Sequence, residues 1–207
     1  GARVVLHRCD PRVGDFGSWQ GGRWLKYDPR RNRLEDLGLV DRGVGVYALT
    51  IDTERRRLFG LGFTGYLYRF DLDRRVTTNL GRVSNWDICR TIVCDDQGNV
   101  YGSFPTARVW KYDARTERVE DLPVRMPFDP MVFPTQLRNP MIDRSYDWRA
   151  MAWDPVERAI YGVTCGSRSI LFRFDPRAPA DRAMTALDRL CDTAFLEGER
   201  QDVPYSP

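Results

Sequence analysis

The chain is poor in the residues from which most enzymes build their chemistry. His7 is its only histidine, so a Ser-His-Asp set has no second imidazole to draw on. The five cysteines (Cys9, Cys89, Cys94, Cys165 and Cys191) are odd in number and include no CxxC pair. With no histidine-rich partner set either, no zinc site is expected, and no other metal or cofactor. Cys9 and Cys94 each precede an Asp at the end of an apolar stretch and read as small core residues. No apolar run approaches the length of a membrane span. No leader pattern opens the chain, and residue 4 already reads as strand, so the start is expected to be a processed or truncated end. The net charge is +3 and the 32 basic residues are nearly all arginine, with no long block among them. That spacing excludes the concentrated basic patch of a nucleic-acid binder. No 3.6-residue periodicity runs along the chain, which removes a solenoid of stacked helices.

What is present is a phrase that recurs. Leu58 to Val83 reads aromatic-Gly, a short loop, an apolar-aromatic-basic-aromatic-Asp run, a basic turn, then a strand near Leu-Gly. It stands also at Phe16–Leu39 and Tyr101–Leu122, and more loosely at Tyr161–Leu190. Each copy comes after an apolar stretch closed by Asp: VVLHRCD, VYALTID, CRTIVCD and WRAMAWD, ending at Asp10, Asp52, Asp95 and Asp154. Polar turns then predict antiparallel hairpins. Second strands carry Phe16-Gly17, Phe59-Gly60, Tyr101-Gly102 and Tyr161-Gly162, and third strands close at Asp28, Asp71, Asp113 and Asp175. The repeated Asp residues read as turn caps.

Asp28 and Asp71 lie 43 residues apart, Asp71 and Asp113 42, and Asp113 and Asp175 62. Four short antiparallel strands at this period make one blade of a β-propeller, so the expected fold is all-β with four blades. They are placed at about 4–40, 46–83, 89–122 and 148–190, with an insertion at 123–147 and a tail at 191–207. The insertion, rich in proline yet apolar, is expected to fold as a flap over the channel mouth. The four blades either close on themselves or form part of a six- to eight-bladed ring whose other blades are partners. The second reading is the one preferred, because the chain starts on a first strand and finishes on a fourth.

The chain resembles the β-propeller repeat superfamily over nearly its whole length. It is unlike WD repeats, having no Gly-His pair, and unlike kelch repeats, having Gly-Gly only at Gly21-Gly22. The Asp box of sialidases is absent. The phrase YG…LFRFDP is similar to quinoprotein-like and carbohydrate-active bacterial propellers, polysaccharide lyases among them. That resemblance favours an extracellular or periplasmic location.

Strand order sorts the loops. Second-to-third loops and the links between blades share one face, which collects Trp19, Arg42, Phe63, Trp86, Asp87, Phe104, Arg108, Tyr146, Asp147 and Arg168. Loops on a rigid scaffold are where ligands bind. Counted back from the closing Asp, Tyr47, Arg90 and Arg149 coincide on the first strands, which line the channel. Guanidinium forks suit carboxylate or phosphate, and aromatic faces suit sugar rings. Asp87 and Asp147 either take part in such a site or pair with neighbouring arginines and rivet the blades. His7 aligns with Leu49, Ile92 and Met151 and reads as a core residue. Two functions fit: a binding or scaffold propeller for an anionic saccharide or a protein partner, or a lyase acting on uronic-acid polymers. The lyase resemblance implies a His/Tyr acid–base pair with an Arg neutralising the uronate, roles for which Tyr47, Arg90 and Arg149 are the candidates. No pattern names a substrate, and whether the chain is an enzyme is left open.

Overall fold

The computed structural model describes residues 4–9, 22–83, 91–103, 108–125, 148–164 and 170–189, of which 4–9, 149 and 189 by backbone alone. The described residues form four antiparallel sheets and no helix. The first holds β1 (Val4–Cys9), β2 (Gly22–Asp28) and β3 (Arg33–Leu39). The second holds β4 (Val46–Asp52), β5 (Arg57–Gly62), β6 (Tyr66–Asp71) and β7 (Val76–Arg82). The third is built from β8 (Val93–Cys94), β9 (Val100–Ser103), β10 (Arg108–Asp113) and β11 (Arg118–Arg125). The fourth is β12 (Trp148–Asp154), β13 (Ala159–Thr164), β14 (Ile170–Phe174) and β15 (Met184–Arg189). In each of the last three sheets spatial order matches chain order.

The hairpins close as the repeated Asp residues predict. Asp71 Oδ1 accepts the N–H groups of Asp73 and Arg74, and Asp113 Oδ1 those of Arg115 and Thr116. Asp28, Asp52, Asp154 and Asp175 cap their turns likewise. Four residues past the Asp, the left-handed residues Asn32, Arg56, Arg75, Glu117 and Arg158 bring the chain back into the next strand. This pairing of an Asx cap with one left-handed residue is hairpin chemistry carried by side chain and backbone together.

The core lies between sheets. Trp24 and Val40 of the first pack on Val46, Leu58, Tyr68 and Phe70 of the second. Phe59, Leu61 and Leu67 of the second meet Val100, Trp110 and Tyr112 of the third. Tyr101 and Val109 of the third meet Trp148, Phe172 and Phe174 of the fourth. A strand alternates its side chains between two faces, so each middle sheet serves two interfaces at once. Polar ties span the same seams: Trp24 Nε1 donates to Thr77 Oγ1 at 2.9 Å, and Arg69 Nη1 to Tyr112 Oη at 3.1 Å.

Three expectations are corrected. VVLHRC is not an innermost strand: β1 pairs directly with β2, Val4 opposite Tyr27 and His7 opposite Trp24. It thus takes the place that β5, β9 and β13 hold in the other sheets, and the supposed second strand at Phe16-Gly17 lies outside the described residues. His7 therefore corresponds to Leu61, not to Leu49, and Cys9 does not share the place of Cys94. The third sheet's last strand runs to Arg125, so Pro123–Arg125 belong to β11, with Val124 buried; the insertion flap, 126–147, lies outside the described residues. The innermost strand expected from Cys89 to Asp95 is only the two-residue β8 among the described residues.

Candidate functional site

Antiparallel order sends the links between sheets and the second-to-third loops to a common end, and backbone bonds stitch them there. The N–H of Phe63 donates to the Gly45 carbonyl at 3.0 Å, that of Gly22 to Val44 at 2.7 Å, and that of Val83 to Gly65 at 2.8 Å. The opposite end carries the capped turns, where Arg158 of the fourth sheet pairs with Asp96 of the third at 3.1 Å.

At the loop-rich end the innermost strands are distorted at one repeated point. Val46 faces Gly62 and Ala48 faces Leu61, so Tyr47 is an extra residue in β4. Trp148 faces Thr164 and Ala150 faces Val163, so Arg149 is the extra residue in β12. Both stand five places before the closing Asp. A bulge inserts one unpaired residue, bends the strand and re-aims the side chains beyond it, and bulges gather at barrel rims and beside active sites. Val46 and Trp148, just before the bulges, are fully buried anchors. In the two sheets where that point is described, the residues counted five back from the closing Asp are bulge residues.

Tyr47 is half-buried and meets the half-buried Phe63 edge to face, ring centroids 6.4 Å apart at 81°. Such edge-to-face contact suits the ring quadrupoles. Arg42 lies exposed on the link between the first two sheets, its N–H held by Asp41 Oδ1 at 2.7 Å. Asp41 also accepts from the Tyr68 hydroxyl at 3.2 Å; burial, with the nearby Asp41 charge, pushes that phenol well above its usual range. Arg108 is set apart from this group: it opens β10 and pairs with Asp121 on the outermost strand. Sequence reading passed over Tyr66 and Arg82, which face each other across β6 and β7 at the same end, the guanidinium carbon 5.9 Å from the ring centroid. Their common signal was an aromatic opening the third strand opposite an Arg closing the fourth. Trp19, Trp86, Asp87, Arg90, Phe104, Tyr146, Asp147 and Arg168 lie outside the described residues, as does the side chain of Arg149. Among the described residues no three His, Cys, Asp or Glu side chains converge on a common point, and no helix is long and apolar enough to cross a membrane.

Sheets of this strand order, repeated along the chain and packed face to face, are the blades of a β-propeller. No family model matches the chain, and no curated protein does. Solved structures share its fold. An auxiliary nutrient binding protein from Bacteroides thetaiotaomicron superposes with a TM-score of 0.54 at 14% identity, over 91% of this chain and 42% of that one. The tricorn protease does so with a TM-score of 0.51 at 15% identity, over 92% of this chain and 19% of that one. This chain spans less than half the length of either.

Proposed function

We propose that the chain is a binding or scaffold propeller that holds an anionic saccharide or a protein partner at its loop-rich face and channel mouth. The repeated bulge at Tyr47 and Arg149 carries this reading, because it sets a phenol and a guanidinium residue at equivalent points of two inner strands. The Tyr47–Phe63 pair supplies aromatic rings there, and Arg42 lies exposed on the link that leads into the same strand. Aromatic flanks and guanidinium forks together suit a sugar that bears a carboxylate. The nutrient-binding role of the Bacteroides protein is in keeping with such a module. Oligogalacturonate titrated by calorimetry is the test. Arg149→Ala should weaken binding at least tenfold, since a charge-assisted contact contributes about 1.5–3 kcal/mol, and Phe63→Ala should weaken it with an unchanged melt. Binding indifferent to both substitutions sinks the reading.

A lyase acting on uronic-acid polymers is the second reading, favoured by the phenol of Tyr47 at the bulge. In it Tyr47 would handle the proton while Arg90 or Arg149 neutralises the uronate carboxylate. Against it stands His7, which sits on β1 opposite Trp24 and not in the inner row. Growth of unsaturated-uronate absorbance on incubation with polygalacturonate, lost in Tyr47→Phe, would decide for the lyase.

A further inference from the structure

The inner strands of the third and fourth sheets send N–H groups out of their own sheets, and hydroxyls of the preceding sheet receive them. The Cys94 N–H donates to Thr50 Oγ1 of the second sheet at 3.1 Å. The Trp148 N–H donates to Ser103 Oγ of the third sheet at 3.0 Å. An edge strand carries donors that its own sheet does not pair, and a buried donor left without a partner is costly. The two ties differ in place. Thr50 stands two residues before Asp52, in the half of β4 nearer the capped turns. Ser103 ends β9 at the loop-rich end, and the N–H it receives belongs to the residue just before the bulge at Arg149.

Ser103 is the polar exception among its counterparts. It pairs with Val109 as Leu61 pairs with Leu67 and Val163 with Leu171. Leu61 fills the seam between the second and third sheets. Ser103 is 1% exposed, and a hydroxyl so enclosed is unfavourable unless it is hydrogen-bonded. The ring of Trp148 is clamped as well: it is fully buried, its centroid 5.2 Å from that of Phe172 and 6.0 Å from that of Phe174. Thr164, its register partner, is also buried and accepts the Ile170 N–H at 2.9 Å across the root of the next loop. Trp148 is thus fixed by ring and main chain alike, one residue before Arg149 leaves the ladder. A bulge gives up ladder pairing for its extra residue, so it persists where the surroundings specify it.

We infer that Ser103 is a positioning residue for the anionic site: its hydroxyl, from one sheet, fixes the bulge that sets Arg149 in the next. The inference rests on the binding reading above for the ligand, and on the Ser103–Trp148 bond for the geometry. Without the hydroxyl the inner strand relaxes towards regular pairing, and each binding event must re-form the bulge. The loss of affinity is then bounded by one hydrogen bond, about five- to tenfold.

Two measurements test this. In amide-resolved NMR without ligand, Ser103→Ala should shift the Arg149 backbone resonance, and Ser103→Thr, which keeps the hydroxyl, should return it towards the parent position. Thr50→Val removes the other tie and is the matched control: it should lower the melt comparably and leave that resonance in place. In calorimetry with oligogalacturonate, Ser103→Ala should weaken binding by the factor above, Ser103→Thr should restore it, and Thr50→Val should leave it unchanged. Beside Arg149→Ala, Ser103→Ala should have no further effect, because the two act through one contact. An Arg149 resonance unmoved by Ser103→Ala overturns the inference. So does a binding loss matched by Thr50→Val, a Ser103→Thr that fails to rescue, or a Ser103→Ala effect that persists in full beside Arg149→Ala. A parent that binds no oligogalacturonate sinks the functional reading alone, and the hold of Ser103 on Arg149 then stands or falls on the resonance. Should Ser103→Ala lose its strand signature by circular dichroism, Ser103→Cys, a weaker acceptor on an equally short side chain, replaces it under the same criteria.

Discussion

Trp110 lies over Gly102 so closely that a Cβ there would stand 2.2 Å from its Cζ2. The two residues are register partners on β9 and β10 of one sheet. Gly162 and Phe172 repeat the arrangement at 2.4 Å. Glycine is used here because an aromatic ring folds flat across its own neighbouring strand. At Gly60 the intruder comes from the next sheet instead: Trp24 Cη2 would be 2.8 Å from the added carbon.

Gly102→Val should therefore destabilise by crowding within a sheet. Trp110 is fully buried, so displacing it should cost about 3 kcal/mol, the upper part of the overpacking range. For a chain of this size that lowers the melting temperature by roughly 6–12 °C. Gly102→Val with a parental melt would show that the indole can move aside.

Asp95 should matter more than its sister Asp residues. It is buried and accepts the N–H groups of Gln97 and Asn99, the Asn99 amide at 2.9 Å and the Tyr101 hydroxyl at 3.1 Å. Asp95→Ala leaves buried donors unpaired, each costing about 1–3 kcal/mol. The half-buried cap Asp28 should cost only about 1 kcal/mol when changed to Ala, because water can reach the donors it leaves. Urea midpoints of the two variants, measured side by side, test the ordering.

Arg69 should act as a tie between sheets mainly through its neutral partner. Tyr112 is fully buried, whereas Glu117 is half exposed. Arg69→Ala should cost about 1–2 kcal/mol. A double-mutant cycle with Glu117→Ala should return less than about 1 kcal/mol of coupling, since the exposed ion pair is screened. A larger coupling in that cycle would make the ion pair the stronger link.

Acid should weaken the hairpins. The Lys111 ammonium and the Thr116 and Arg115 N–H groups hold the Asp113 carboxyl well below the usual range; the Arg74 and Asp73 N–H groups do so at Asp71, and Arg177 at Asp175. A carboxyl lowered on folding contributes stability above its unfolded value of about 4. That contribution fades as pH falls through the folded value. Urea midpoints should drop between about pH 5 and pH 2.5. Asp113→Asn should lower the midpoint at neutral pH and flatten the acid limb; an acid limb as steep as the parent's would rule the cap out as a contributor.

Much of this architecture is local and could be read residue by residue. An Asp that closes a strand and a left-handed residue four places on dictate a hairpin whatever surrounds them, so the strand order of the second, third and fourth repeats was legible. So was the row of Tyr47 and Arg149, because both are counted from a closing Asp. The first repeat was not. VVLHRC is apolar enough for either an innermost or a second strand, and the choice rests on its pairing with Trp24 and Tyr27, a contact across a connection of a dozen residues that carries no local mark. Nor could sequence say that the leucines at 37, 80, 122 and 187 differ. They occupy equivalent points of four outermost strands, yet three are covered and one is bare, because burial belongs to the neighbouring sheet and not to the residue. The same holds for the aromatic-Gly pairs: their spacing is written in the chain, but which ring crowds each glycine, its own sheet's or the next one's, was decided only when the sheets packed.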